Sequence, residues 1–425
     1  YINFPNGQIC DRLSWCLFLG DYSFSKRGVG EGDPYQAYID AVVEEVYDLT
    51  GLSPYSSTMH IYTYMVPEIQ EEMDKIQTGD VDDYFEYPDE WFEVASTCIR
   101  NGTGEIVGIL GGRNYAKGGA LLLSHATAQY KQPGSSIKSI IDYALAFENL
   151  GWSTSHVITD KPIFYGHEDI IVENFSGTYT GDITLSDAVG NSINTTAIQT
   201  LQKVIESKGK TGDEYVVDYL QSIGFDVDLE TFDIQFAIGG AALTATPVQM
   251  AGAYSMLMNS GKYIEPHCVA RIEFTNGKSP VTPTYESKQI LSEAACYLMD
   301  TLLKQNVDKY PGSYPHLRDD YPVYAKTGTT DWAGSDGAPY GIPAGANKDA
   351  WIVACTSEYS TATWTGYEKA TSEHQSYITT AVYNQRIQAR IANLILDKTV
   401  EVFGKPKEIS KPEGISTIRH ILGTY

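Results

Sequence analysis

The sequence predicts a mixed α/β fold of the α+β type, organised on antiparallel strands, and three observations carry that prediction. Phe92 to Ile99 and Glu105 to Leu110 are β-rich runs joined by Arg100-Asn101-Gly102-Thr103-Gly104, a hairpin signal. Tyr321 to Thr329, Asp349 to Thr356 and Thr361 to Tyr367 form a second β-rich set, with only a short turn between the last two, as in an antiparallel meander. Between these sets, apolar residues recur at i, i+3, i+4 as buried helices require, for example Ile137, Ile140, Ile141, Ala144 and Leu145.

Composition narrows the class of partner. The chain has 425 residues, of which 42% are hydrophobic, enough for a sizeable core. A net charge of −24 argues against nucleic acid, because phosphate binding needs a basic surface. No stretch reaches the roughly eighteen apolar residues of a membrane span, and the N-terminus has no basic region followed by an apolar one. It also lacks an initial Met, so a fragment of something longer is expected. The six cysteines form no C-x-x-C pair and have no histidines at metal spacing, so neither a metal nor a cofactor is expected. Cys98, Cys268, Cys296 and Cys355 lie in apolar stretches and read as buried thiols. Cys10 and Cys16 are close enough for a local disulfide, with two free thiols the equal alternative.

In chain order, residues 1–57 read as a linker or the tail of a preceding domain, containing one helix from Tyr35 to Leu49, and residues 58–425 as the main domain. Met59 to Tyr64 alternates like a strand. The segment from Pro67 to Ile76 reads as a helix opened by proline. Residues 151–183 have strand-and-loop character. Leu185 to Ile193 and Asn194 to Ser207 read as consecutive helices. Thr246-Pro247 caps a helix that runs to Met258, Lys262 to Phe274 reads as strand, and Ser292 to Leu303 as an apolar helix. A helix from Tyr383 to Lys398 follows the meander. The connection from Asp331 to Lys348, rich in Gly, Ala and Pro, is longer than most and would overhang whatever lies beside the strand it leaves.

The chemistry centres on Gln132-Pro133-Gly134-Ser135-Ser136-Ile137-Lys138. Pro-Gly breaks the preceding segment and sets Ser135 at a helix start, where unpaired backbone N–H groups and a positive partial charge favour an oxyanion. Lys138, three residues on, lies on the same face as Ser135 and can serve it as a base. A serine at a helix start is also an ordinary cap. Two further stretches weigh against that plain role. Ser192-Ile193-Asn194 brings a hydroxyl and a carboxamide to a helix junction, and Lys326-Thr327-Gly328-Thr329-Thr330 ends a strand with hydroxyls around a glycine. Chance does not easily supply S-x-x-K, S-x-N and K-T-G in that order.

With these motifs the chain resembles the transpeptidase domain of class A penicillin-binding proteins. The likeness runs from about residue 58 to the end and includes Tyr62 to Gln70, Thr103 to Arg113, Gln132 to Ser135, Ser192 to Ala197, Thr246 to Ala251 and Trp364 to Tyr367. It implies the penicillin-binding/serine β-lactamase-like fold, an antiparallel sheet flanked by helical layers with the K-T-G strand as one wall of the cleft. It implies that Ser135 attacks the carbonyl of the penultimate D-Ala of a peptidoglycan stem peptide, that the acyl-enzyme is resolved by a second stem's amine, and that β-lactams acylate the same serine.

The resemblance also assigns roles. Lys138 is the base, kept neutral by burial and Lys326; Ser192 relays the proton to the leaving amine; Asn194 holds the peptide amide. Thr327 and Thr329, around Gly328, hold the terminal carboxylate, and the backbone N–H groups of Ser135 and Thr329 form the oxyanion hole. A parent protein with a membrane anchor and a glycosyltransferase domain, acting outside the cytoplasm, is implied as well. Ser139 and Ile137 depart from the family's usual text without touching the chemistry directly, while Ser124-His125, Tyr324-Ala325 and the enlarged 331–348 connection depart from it and bear on substrate preference and β-lactam sensitivity. The alternative readings are a D,D-carboxypeptidase or β-lactamase-type hydrolase, which sends water to the same acyl-enzyme, and a non-catalytic penicillin-sensing domain.

Overall fold

The computed structural model describes residues 35–418 and the short strand 15–18, apart from residues 56, 82–83, 114, 116–123, 165–170, 241 and 318–319. The question of a Cys10–Cys16 disulfide lies outside the described residues. Cys98, Cys268, Cys296 and Cys355 are buried free thiols, as their apolar surroundings predict.

Helix α1 (Gln36–Thr50) and helix α2 (Pro67–Thr78) precede the central sheet. The sheet holds β1 (Phe92–Arg100), β2 (Ile106–Leu110), β3 (Tyr324–Asp331), β4 (Asn347–Cys355) and β5 (Tyr359–Tyr367). All neighbours are antiparallel, in the order β3-β4-β5-β1-β2, so the predicted hairpin and the predicted meander are one sheet. The meander docks through β5 against β1, with Ala362 opposite Thr97.

Both faces of this sheet are covered; β1 alternates between two cores, and a third, smaller core at β3 and β4 holds Ala325, Ile352 and Ala354. From β1, Ala95 and Ile99 enter one core while Phe92, Val94 and Cys98 enter the other. The first core takes in the helix after Ser135, helix α6 (Pro247–Met258) and helix α7 (Glu293–Lys309); the second takes in α2 and helix α9 (Ile387–Phe403). Between α2 and α6, the site-bearing layer holds α3 (Ala144–Leu150), α4 (Leu185–Gly190) and α5 (Asn194–Lys208), with a further helix, Gly212–Ser222, packed into the same core. Thr246 and Gln249 form the predicted cap of α6 as a reciprocal capping box, worth about 1 kcal/mol.

Four elements differ from their sequence expectation. Helix α1, inside the stretch expected to be linker or tail, gives Tyr38, Val42 and Val46 to the main core, and Tyr38 Oη donates to the carbonyl of Ile106 at 2.7 Å. Lys262 to Phe274 is two strands, Lys262–Ile264 and Val269–Phe274. The helix expected from Tyr383 is broken: α8 (Thr380–Gln385) ends at Arg386, whose φ of 52° is left-handed, and α9 begins after it. The 331–348 connection is partly ordered, with helical turns at Gly334–Gly337 and Ala338–Tyr340 and a neck closed by Trp332 N–H to Ala346 O at 2.8 Å.

Candidate active site

Ser135 begins not an α-helix but a 3₁₀ turn, Gly134–Ile137, followed by a π turn, Ser139–Tyr143, before regular α geometry resumes in α3. A 3₁₀ turn has three residues per turn, so positions three apart eclipse one another, which stacks Lys138 over Ser135 more directly than an α-helix does. The turn is anchored from three sides. Ser136 Oγ donates to Pro133 O at 2.7 Å, Tyr254 Oη on α6 donates to Ser136 O at 2.6 Å, and Trp351 Nε1 on β4 donates to Gln132 O at 2.9 Å.

Glycine decides how close the backbones come. Gly134 has φ of 53° and Gly239 has φ of 70°, and a Cβ on Gly239 would collide with the backbone of Gly134. A Cβ on Gly134 would collide with the backbone of Thr329, and one on Gly328 with the carbonyl of Pro133. The K-T-G strand therefore lies directly against the Ser135 turn. That contact sets the backbone of Gly134, next to Ser135, against the backbone of Thr329.

The second motif arrives from the α4–α5 junction. Ser192 has φ of 53°, a strained conformation for a non-glycine residue and one that clusters at functional sites. Ile193, at the N-cap of α5, has no side chain that can cap. Asn174 does the work from a distant loop: its Oδ1 accepts from Asn194 N–H at 3.0 Å and Thr195 N–H at 3.3 Å, while its Nδ2 donates to Asp160 Oδ1 at 2.8 Å.

The two motif lysines meet on Ser192. Lys138 Nζ donates to Ser192 O at 2.8 Å and to Asn194 Oδ1 at 2.6 Å, and Lys326 Nζ donates to Ser192 Oγ at 2.8 Å and Thr327 O at 3.1 Å. Both lysines are fully buried. Burial, reinforced by Lys326, pushes the Lys138 amine well below the ordinary lysine range, against the opposing pull of Asp142; burial alone brings Lys326 down to about 7. Lowering an amine's basicity favours the neutral form, whose lone pair a base requires. Ser135 is half-buried, so its hydroxyl remains reachable from the cleft.

Asn194 is more committed than its motif suggests. Its Oδ1 is held by Lys138, and its Nδ2 donates to Glu173 O at 2.8 Å, so both ends of the carboxamide orient protein groups before any peptide arrives. Sequence reasoning missed Asp142, one turn beyond Lys138. It is fully buried, neither carboxylate oxygen has a partner among the described residues, and burial holds its carboxyl well above the usual range, against the pull of Lys138. Its place on an otherwise apolar stretch was the available signal. The unusual Tyr324 has a structural role, as its hydroxyl accepts from Ile409 N–H at 2.9 Å and ties the tail to β3.

The profile of the penicillin binding protein transpeptidase domain matches residues 95–397, which span all three motifs. The chain belongs to that family. Penicillin-binding protein 1A/1B of Bacillus subtilis (strain 168) is 30% identical over 85% of this chain, and penicillin-binding protein 1F of the same organism is 28% identical over 92%. The chain spans only 38% and 52% of the lengths of those relatives. Among solved structures, PonA1 from Mycobacterium tuberculosis in complex with penicillin V superposes with a TM-score of 0.72 at 21% identity, covering 90% of this chain and 97% of that one. The D,D-transpeptidase domain of a peptidoglycan glycosyltransferase from Eggerthella lenta gives a TM-score of 0.60 at 17% identity, covering 85% of this chain and 87% of that one. This transpeptidase domain thus has the penicillin-binding fold that the motifs anticipated, and its class is that of serine acyltransferases.

Proposed function

We propose that this domain is a peptidoglycan D,D-transpeptidase that works through an acyl-enzyme on Ser135 and is acylated and inhibited by β-lactams. The observation that carries the reading is the junction of two buried lysines on Ser192, beside the serine turn. A hydroxyl is a poor nucleophile until a base takes its proton, and Lys138 is a buried amine of lowered basicity one 3₁₀ turn from Ser135.

Ser135 Oγ attacks the carbonyl carbon of the penultimate D-Ala as its proton passes to Lys138 Nζ. The oxyanion is held by the N–H groups of Ser135 and Thr329, each worth roughly 3 kcal/mol by analogy with other acyl-transfer sites. The proton then travels through Ser192 Oγ, aligned by Lys326, to the nitrogen of the terminal D-Ala. The C–N bond breaks, D-Ala leaves, and the acyl group stays on Ser135 until the amine of a second stem attacks and restores the hydroxyl. Thr327 and Thr329 receive the donor's carboxylate. Asn194, bonded to Lys138, sets the direction of the base and borders the peptide amide.

The parent protein, on this reading, also carries a glycosyltransferase domain and a membrane anchor and acts outside the cytoplasm. The greater length of the relatives and the glycosyltransferase origin of the Eggerthella lenta domain support it. Intact-mass spectrometry after incubation with a penicillin, followed by peptide mapping, tests the acylation step; an adduct on any serine other than Ser135 overturns it. Turnover of a stem-peptide thioester with and without a D-amino-acid acceptor tests transfer.

A further inference from the structure

Arg386 stands apart from the other described arginines. Arg100 and Arg271 pair with Glu105 and Glu273, and Arg113 and Arg390 donate to backbone carbonyls. Arg386 forms no ion pair and no side-chain hydrogen bond among the described residues, in a chain whose net charge is −24 and where acidic partners abound. Its guanidinium lies over the ring of Tyr383, 4.0 Å from the centroid. Tyr383 Oη is 3.4 Å from Thr329 Oγ1, on the K-T-G strand. Behind this pair, the buried Tyr314 phenol sits beside Thr327, and Arg386 and Tyr383 both act on it electrostatically. The residue that delivers this cation has a left-handed backbone with φ of 52°, at the break between α8 and α9. Non-glycine residues seldom hold that conformation, and the break turns what sequence periodicity reads as one helix into two.

We propose that Arg386, steadied by Tyr383, is a specificity-determining residue of the cleft: it pairs with the carboxylate that Thr327 and Thr329 receive. A guanidinium presents its donors in a planar fork that matches a carboxylate, and stacking on an aromatic ring fixes its orientation before the ligand enters. The two threonine hydroxyls supply neutral hydrogen bonds; Arg386 supplies the charge. The ligand class is an acyl donor with a carboxylate next to the scissile amide, which describes both a D-amino-acid terminus and the ring carboxylate of a β-lactam. The inference rests on the acyl-transfer reading above.

The test compares acid and ester forms of one penicillin. Second-order acylation rates of the whole domain are measured with benzylpenicillin and its methyl ester, for the wild type, Arg386→Gln, Arg386→Lys and Tyr383→Phe. Arg386→Gln is expected to slow the acid about tenfold, as loss of one charge-assisted contact does, while the ester changes less than about twofold. Arg386→Lys should recover part of the loss, and Tyr383→Phe should show a smaller one. A parallel comparison of a peptide thioester with and without the leaving-group carboxylate separates the peptide source from the antibiotic. Equal slowing of acid and ester would make Arg386 a structural residue, and an unchanged acid rate would remove it from the cleft; either overturns the proposal. In a Ser135→Ala background, calorimetric binding of a D-Ala-D-Ala peptide should weaken about tenfold on adding Arg386→Gln. That readout needs no acylation, so its failure is separate from failure of the acyl-enzyme reading.

Discussion

Lys326 and Ser192 are joined side chain to side chain at 2.8 Å, and the carbonyl of that same serine accepts from Lys138 at 2.8 Å. One residue thus couples the K-T-G lysine to the S-x-x-K lysine through two different atoms. Ser192→Ala removes the hydroxyl and keeps the carbonyl that holds Lys138 in place. Acylation by a penicillin is then expected to slow by about a hundredfold to a thousandfold, the usual worth of one proton-transfer group. Lys138→Ala, which removes the base, should lower the rate by at least about ten thousandfold with the fold intact by circular dichroism. Stopped-flow fluorescence with a fluorescent penicillin measures both, and a wild-type rate for Ser192→Ala would show that the proton does not pass through Ser192.

The burial that lowers the lysine pKa values has a cost in stability. Lys326 has an ordinary pKa in the unfolded chain and one of about 7 when folded, so folding must strip its proton or bury its charge. The cost is absent above the unfolded pKa, grows as pH falls toward 7, and levels off below it; at pH 7 it amounts to ~4 kcal/mol before its hydrogen bonds are counted. Lys326→Met removes the charge and keeps most of the volume. The variant should therefore melt above the wild type at pH 7, with the gap closing toward pH 10, while losing acylation. Scanning calorimetry across that range checks it, and a gap that widens with pH would mean Lys326 is stably charged in the fold.

Much of this site was legible in the sequence because the chemistry demands particular side chains at short spacing. Ser135 and Lys138 are three residues apart and Ser192 and Asn194 two, so local geometry alone brings each pair together. What spacing does not reveal is direction. Asn194 reads as an amide free to hold a ligand, yet Lys138 and the carbonyl of Glu173 already occupy it, and both are distant in sequence or outside the motif. The cap of α5 was hidden for the same reason, since Asn174 reaches it across a loop. Arg386 was hidden because a left-handed break normally announces itself with Gly or Asn, and here the periodic pattern continues through an arginine. The sheet itself was read as two β-rich sets, because the pairing of β5 with β1 joins segments more than two hundred and fifty residues apart by number, as in Ala362 with Thr97.

Gly239 was invisible as a site residue, and a substitution there should nevertheless be severe. Its left-handed backbone disfavours any side chain, and a Cβ would strike the backbone of Gly134, whose own position is pinned by Thr329. No flexible side chain can yield at that contact. Gly239→Ala is expected to destabilise the domain by about 3 kcal/mol or more and to slow acylation disproportionately, since the displaced backbone carries Ser135. Urea unfolding together with acylation rates checks this, and a variant of wild-type stability and rate would show that the turn tolerates displacement.

The fate of the acyl-enzyme separates transfer from hydrolysis. A hydrolase needs a positioned base that activates water beside the ester. Among the described residues, no carboxylate accepts a hydrogen bond from Lys138, Asn194, Ser192 or Lys326. Asp142 is the carboxylate nearest in sequence to Lys138, but it is fully buried in the core, where burial holds its carboxyl well above the usual range, and it is not placed to activate water in the cleft. Glu173 meets the site through its backbone carbonyl, and the residue is exposed. The penicilloyl adduct on Ser135 should therefore persist for many minutes, and Glu173→Gln should leave its lifetime unchanged. With a thioester donor, a D-amino acid should capture the acyl group in competition with water, which is the signature of transfer. Rapid loss of the adduct, with penicilloic acid accumulating over many turnovers, would move this domain to the hydrolase reading, and dependence of that loss on Glu173 would identify the missing base.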